Sequence, residues 1–196
     1  MGYSVEVETA DCYEGTTCLI NKFDIKDEEK LANIEAAITF AKVSELEKNP
    51  IDGQFDFEHY LSIHRFLFED IYDWAGKLRT VEISKKGTSF AKPEEIEVLC
   101  RNCFDRLKRL KCFCGMFTED FVKNIVDLYC VTNMIHPFCE GNGRTQRIFI
   151  SQLIRYNGYD IDFAEIDPDE LMIATIQSAS GVQDYLIEIF NKHIKR

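Results

Sequence analysis

No run of about 18 apolar residues occurs in the 196-residue chain, so nothing in it reads as a membrane span. The opening Met1-Gly2-Tyr3-Ser4-Val5-Glu6 has no basic stretch leading into an apolar core, which excludes a secretory signal there. Glu6 also occupies the position where a myristoylation pattern requires Ser or Thr. Positive charge is scarce: 23 Lys and Arg stand against 34 Asp and Glu, for a net charge of −11. That balance lacks the basic footprint that nucleic-acid binding needs. There is no internal repeat and no low-complexity linker. The length therefore predicts one domain over 1–196 with its own core and a short N-terminal extension at 1–15.

The eight cysteines do not fall at finger or ribbon spacings. Cys100 and Cys103 share an apolar stripe with Ile96, Leu99, Leu107 and Leu110 on a helix predicted from Pro93 to Leu110, so buried free thiols are expected rather than zinc. A reducing cytosol fits, the cell's own or that of a host into which the protein is delivered.

The remaining periodicity is helical. Asp27 is placed to cap a helix through Leu31, Ile34, Ala37, Ile38 and Ala41 that stops before Asn49-Pro50. Asp56 is placed to cap another, through Tyr60, Ile63, Leu67, Phe68 and Ile71 to near Gly76. Further helices are predicted over 121–136, 143–158, 168–179 and 182–194. The fold class is all-α, a bundle of about seven helices, with one small β-hairpin around 83–91 where Lys85-Lys86-Gly87-Thr88 supplies a turn.

One segment concentrates chemistry: His136-Pro137-Phe138-Cys139-Glu140-Gly141-Asn142-Gly143-Arg144-Thr145-Gln146-Arg147. Pro137 ends the preceding helix near His136. The glycines then form a tight turn that opens the next helix, where converging N–H groups and the helix dipole favour an anion. Arg144 and Arg147, three residues apart, share one helix face and can reach one polyphosphate. Glu140 has the wrong sign for a phosphate cradle but the right chemistry for Mg²⁺, which takes a carboxylate together with phosphate oxygens. His136, with an ordinary pKa of ~6.5, suits a general base.

The segment resembles the signature H-x-F-x-[D/E]-G-N-G-R-x-x-R of the Fic domain family, with every defined position filled. The resemblance extends to Asp70-Ile71-Tyr72-Asp73-Trp74-Ala75-Gly76-Lys77-Leu78-Arg79-Thr80-Val81 and to Ser84-Lys85-Lys86-Gly87-Thr88-Ser89-Phe90-Ala91. It implies the Fic fold and transfer of AMP from ATP, with Mg²⁺, to a Ser, Thr or Tyr hydroxyl of a target protein. By resemblance His136 is the base and Glu140 the metal residue. Gly141, Asn142, Gly143, Arg144, Thr145, Gln146 and Arg147 bind nucleotide, with the Asn142 amide near the α-phosphate, and Phe138 anchors the core. Lys85, Gly87, Thr88, Ser89 and Phe90 form the flap that binds the target by strand addition. Chain order alone puts Thr175, Ile176 and Gln177 near the adenine. Gly143 stands where phosphorylating relatives carry a lysine-containing loop, which favours AMP transfer. Use of another nucleotide, AMP removal, and a nucleotide-binding module without turnover remain alternatives.

Many family members carry an inhibitory helix, [S/T]-x-x-x-E-[G/N], whose glutamate pairs with the second motif arginine, here Arg147. Glu14-Gly15 follows Ala10, Glu140-Gly141 follows His136, Ser4…Glu8 runs into Thr9, and Asp184…Glu188 runs into Ile189, so none matches. A separate antitoxin-like partner, or an unrestrained protein, is the expectation that follows. His59, His64 and His193 show no partner at this level.

Overall fold

A computed structural model describes residues 11–85 and 88–196. Seven helices follow in order: α1 (Glu28–Lys48), α2 (Phe57–Phe68), α3 (Pro93–Arg109), α4 (Thr118–Ile135), α5 (Asn142–Tyr156), α6 (Pro168–Ala179) and α7 (Asp184–His193). Between α2 and α3, β1 (Ser84–Lys85) pairs antiparallel with β2 (Thr88–Ser89). Ser84 pairs with Ser89 and Lys85 with Thr88. Gly87, and the Ser4…Glu8 segment, lie outside the described residues.

The caps read from the sequence are made. The Asp27 carboxylate accepts from Lys30 N–H at 2.8 Å and that of Asp56 from His59 N–H at 2.9 Å. Pro93 and Pro168 open α3 and α6, where a missing N–H costs nothing. The amphipathic helices then close around α4, which packs against α3, α5, α6 and α7, while α2 packs on α5. Ile125, Val126, Leu153 and Ile154 are fully buried at that centre. Each contributes on the order of 1.5–3 kcal/mol relative to exposure.

Three expectations change. α2 stops at Phe68 rather than running toward Gly76, because the N–H groups of Ile71 and Tyr72 both bond to the Phe68 carbonyl, at 2.9 Å each, and turn the chain. Ile71 and Tyr72 are nonetheless buried, so apolar periodicity outlasts the helix. On α3, Leu99 is exposed and Phe104 takes the buried place. On α1 the buried face is Leu31, Glu35, Thr39 and Leu46, whereas Ala37 and Ala41 face outward. A carboxylate and a hydroxyl thus occupy the inward side of a helix expected to bury alanine and isoleucine.

Candidate active site

The motif spans the end of α4, a short loop and the start of α5. His136 terminates α4 in the left-handed region (φ 47), its N–H still bonded to Thr132 O at 3.1 Å. Its ring Nδ1 lies 3.1 Å from the Asn133 carbonyl. A carbonyl only accepts, so Nδ1 carries the proton and Nε2 keeps its lone pair, the tautomer a general base requires. Phe90 of the flap stacks on this imidazole, with centroids 3.9 Å apart and planes at 18°.

Phe138 is fully buried and stacks on His64 at 3.7 Å, which pins the loop to α2. The Asn142 side chain closes the loop on itself, accepting from Phe138 N–H at 2.9 Å and donating to Phe138 O at 2.7 Å. The Asn142 side-chain amide therefore braces the loop from within, and its backbone N–H lies at the start of α5. Gly141 has φ +80, and a Cβ there would come within 2.2 Å of the Phe68 ring. The first bond of α5 is Thr145 N–H to Gly141 O at 3.0 Å, so the N–H groups of Asn142, Gly143 and Arg144 precede the ladder and point out of the helix end. A Cβ on Gly143 would meet Arg147 Nη1 at 3.2 Å, which places that guanidinium beside the cradle.

Thr145 and Gln146 are 0 % and 4 % exposed and face the core instead of the loop mouth. Gln146 Nε2 donates to Tyr129 O and Thr132 Oγ1, at 2.8 and 2.7 Å. Gln146 thus fixes α5 on α4, while Arg147 lies beside the helix end. Glu140 Oε1 accepts from Gly141 N–H at 2.8 Å and from Arg144 Nη2 at 3.0 Å. Arg144 in turn reaches Glu35 Oε1 at 2.5 Å and Thr39 Oγ1 at 3.1 Å, and lies over the Phe68 ring at 4.8 Å. Burial alone would lower the Arg144 pKa, but Glu35 and Glu140 outweigh it and raise it.

A model of the Fic/DOC family matches residues 54–154. The chain belongs to the Fic/DOC family. It is 35 % identical over 91 % of its length to "Protein adenylyltransferase VbhT" of Bartonella schoenbuchensis, and 36 % identical over 89 % to "Probable protein adenylyltransferase y4lH" of Sinorhizobium fredii. It spans 37 % of the length of VbhT and 90 % of y4lH. Among solved structures it superposes on BepC of Bartonella tribocorum, determined with bound AMPPNP, at TM-score 0.86 and 26 % identity, covering 94 % of this chain and 95 % of BepC. The N-terminal Fic domain of a Bartonella quintana Bep effector, with bound ADP, gives 0.87 at 26 % identity, covering 94 % of each.

Around the Fic motif the structure adds residues that sequence reasoning passed over. Arg79 is 2 % exposed, and its guanidinium donates to the carbonyls of Val81 (2.6 Å), Ala91 (2.5 Å), Ile135 (3.3 Å) and His136 (2.8 Å). It ties both ends of the flap to the C-terminus of α4, whose dipole favours a cation. His64 accepts from Gly76 N–H at Nδ1 (2.8 Å) and donates from Nε2 to the Glu140 carbonyl (3.0 Å). Arg79 stood within the quoted Fic-like segment; His64 carried no signal, because its partner is 76 residues away. Thr175 meets the Tyr129 hydroxyl at 3.1 Å, and Ile176 beside it is exposed. All eight cysteines are free, and burial followed by Asp11 pushes the Cys139 thiol up to about 12. Among the described residues no helix is long and apolar enough to cross a membrane.

Proposed function

We propose that this Fic-family chain is a protein adenylyltransferase that transfers AMP from ATP to a hydroxyl of a target protein. The observation that carries the reading is the tautomer-fixed imidazole of His136, one short loop away from the open N-terminus of α5. The target hydroxyl gives its proton to His136 Nε2 as its oxygen bonds to the α-phosphorus. The bond from that phosphorus to the bridging oxygen breaks, and pyrophosphate leaves. The N–H groups of Asn142, Gly143 and Arg144 face the oxygens where charge develops, and Arg147 faces the departing phosphates.

Glu140 fits a hard divalent ion: both of its side-chain contacts fall on Oε1, which leaves Oε2 as the available oxygen. Mg²⁺ held there would neutralise charge between adjacent phosphates. The target docks on the flap hairpin, whose pairing of Ser84 with Ser89 offers a strand edge. Approach of its hydroxyl requires Phe90 to slide off the His136 ring. Thr175, Ile176 and Gln177 border the adenine in this reading. A cytosolic place of action, native or host, is supported by the eight free thiols. Restraint by a separate antitoxin-like partner belongs to the same proposal, on the sequence pattern alone.

Incubation with α-labelled and, separately, γ-labelled ATP plus Mg²⁺ in lysate tests this against His136→Ala. Label entering protein only from the α position, and lost in the variant, is the expected result. Label from γ alone overturns the reading in favour of phosphorylation. Binding of ATP without any transfer overturns it in favour of a nucleotide-binding module.

A further inference from the structure

The inward face of α1 carries a charge that the motif does not account for. Glu35 is 8 % exposed and sits between Leu31 and Thr39, at positions that pack inward. Its Oε1 takes Arg144 Nη2 at 2.5 Å, and its Oε2 takes the Tyr72 hydroxyl. Thr39 donates to the Glu35 carbonyl at 2.7 Å and accepts from Arg144 Nη1 at 3.1 Å. The same Arg144 Nη2 is shared with Glu140 Oε1 at 3.0 Å. Side-chain exposure rises along the chain of contacts, from 11 % at Glu35 through 24 % at Arg144 to 30 % at Glu140.

Two carboxylates on one guanidinium nitrogen leave a net charge of −1. A buried pair built only for stability would be one to one, since a second like charge on the same donor is unfavourable. The arrangement makes sense if a further cation arrives. Without Glu35, Arg144 and Glu140 would form a neutral pair, and a metal would have to compete with Arg144 for the Glu140 carboxylate. With Glu35 in place Arg144 already has its closer partner, on the more buried side.

We propose that Glu35, supported by Tyr72 and Thr39, is a positioning residue that engages Arg144 and thereby leaves the negative charge of Glu140 to a divalent cation. Arg144 then serves Glu140 rather than the phosphates, and Arg147 is the polyphosphate arginine. The inference rests on the reading of Glu140 as the metal residue. It adds a residue on α1, outside the span 54–154 that matches the family.

The test is the affinity for AMPPNP, by calorimetry, in EDTA and in saturating Mg²⁺, with the ratio of the two as the readout. In Glu35→Gln this Mg²⁺ enhancement is expected to fall about tenfold, the effect of ~1.4 kcal/mol at the cation. The metal-free affinity should stay the same or rise. Tyr72→Phe keeps the charge and loosens it, so a two- to threefold fall is expected on the order of a single hydrogen bond; it also serves if Glu35→Gln does not fold. Equal losses with and without Mg²⁺, or no loss in either variant, overturn the proposal. Wild-type protein whose AMPPNP affinity ignores Mg²⁺ overturns this inference and the metal role of Glu140 together. Wild type that shows the Mg²⁺ enhancement without α-label transfer sinks the transferase reading and leaves the role of Glu35 standing.

Discussion

His64→Phe keeps a flat ring in the stack between Phe138 and Phe68, whose centroids lie 3.7 and 4.8 Å from the imidazole, and deletes both of its hydrogen bonds. Gly76 N–H and the Glu140 carbonyl would be left buried without these partners, at about 1–3 kcal/mol each, or roughly 2–6 kcal/mol together near neutral pH. The cost should depend on pH. Burial pushes the His64 pKa down to about 3, with the Glu140 carbonyl opposing and Arg144 adding to the fall. Protonation would also set an N–H of Nδ1 against Gly76 N–H. An unfolded chain takes up this proton near ~6.5 and the folded one only near 3, so between those values the unfolded state binds more protons. The stability that His64 contributes is therefore fully present above ~6.5 and declines as pH falls, by up to ~1.4 kcal/mol per pH unit. Urea unfolding of both proteins at about pH 7.5, 6.5, 5.5 and 4.5 gives the difference curve, in which carboxylates common to both cancel. The advantage of wild type should shrink by about 2–3 kcal/mol between pH 6.5 and 4.5. A difference that stays flat across that interval would show that His64 charges without cost and that its two bonds are misread.

Gly141→Ala combines left-handed strain of ~1–2 kcal/mol with a clash against the buried Phe68 ring, so about 2–5 kcal/mol is expected from a urea midpoint. Gly15→Ala, at φ +70 with nothing within 4 Å, should show the strain alone. Equal losses would mean that the Phe68 contact does not matter. Arg79→Lys leaves at least one flap or α4 carbonyl without its donor, at ~1.5–3 kcal/mol per charge-assisted bond. The Ala91 amide, bonded to Met134 O at 3.1 Å, should then exchange with deuterium at least tenfold faster, the factor for ~1.4 kcal/mol. Unchanged exchange would mean the flap is held without Arg79.

Features whose cause is local were legible in the sequence: the caps at Asp27 and Asp56, the proline starts of α3 and α6, the turn at Gly141, the break at Pro137. Errors came where distant packing overrode local pattern. Ile71 and Tyr72 continue the apolar rhythm of α2 beyond its end because the turn that holds them is itself buried. On α1, Glu35 and Thr39 sit inward because Arg144 and Tyr72 lie beneath them, and neither neighbour is visible from the helix's own sequence. The motif was found as a string of types, but type alone did not say which side chains face out. Thr145, Gln146 and the amide of Asn142 turned inward, and only the fold shows that.

The contacts that make the loop competent also fix when it can exist. Arg79 reaches His136 across 57 residues, His64 reaches Glu140 across 76, and Arg144 reaches Glu35 across 109. Such long closures form late, because the entropy of bringing distant segments together is met before any contact compensates it. During synthesis the supporting side chains emerge first and wait for α5. A chain cut short before residue 144 lacks the arginine that joins the two carboxylates, however well its earlier helices have formed. Competence is thus absent until α5 has been made, however complete the helices before it.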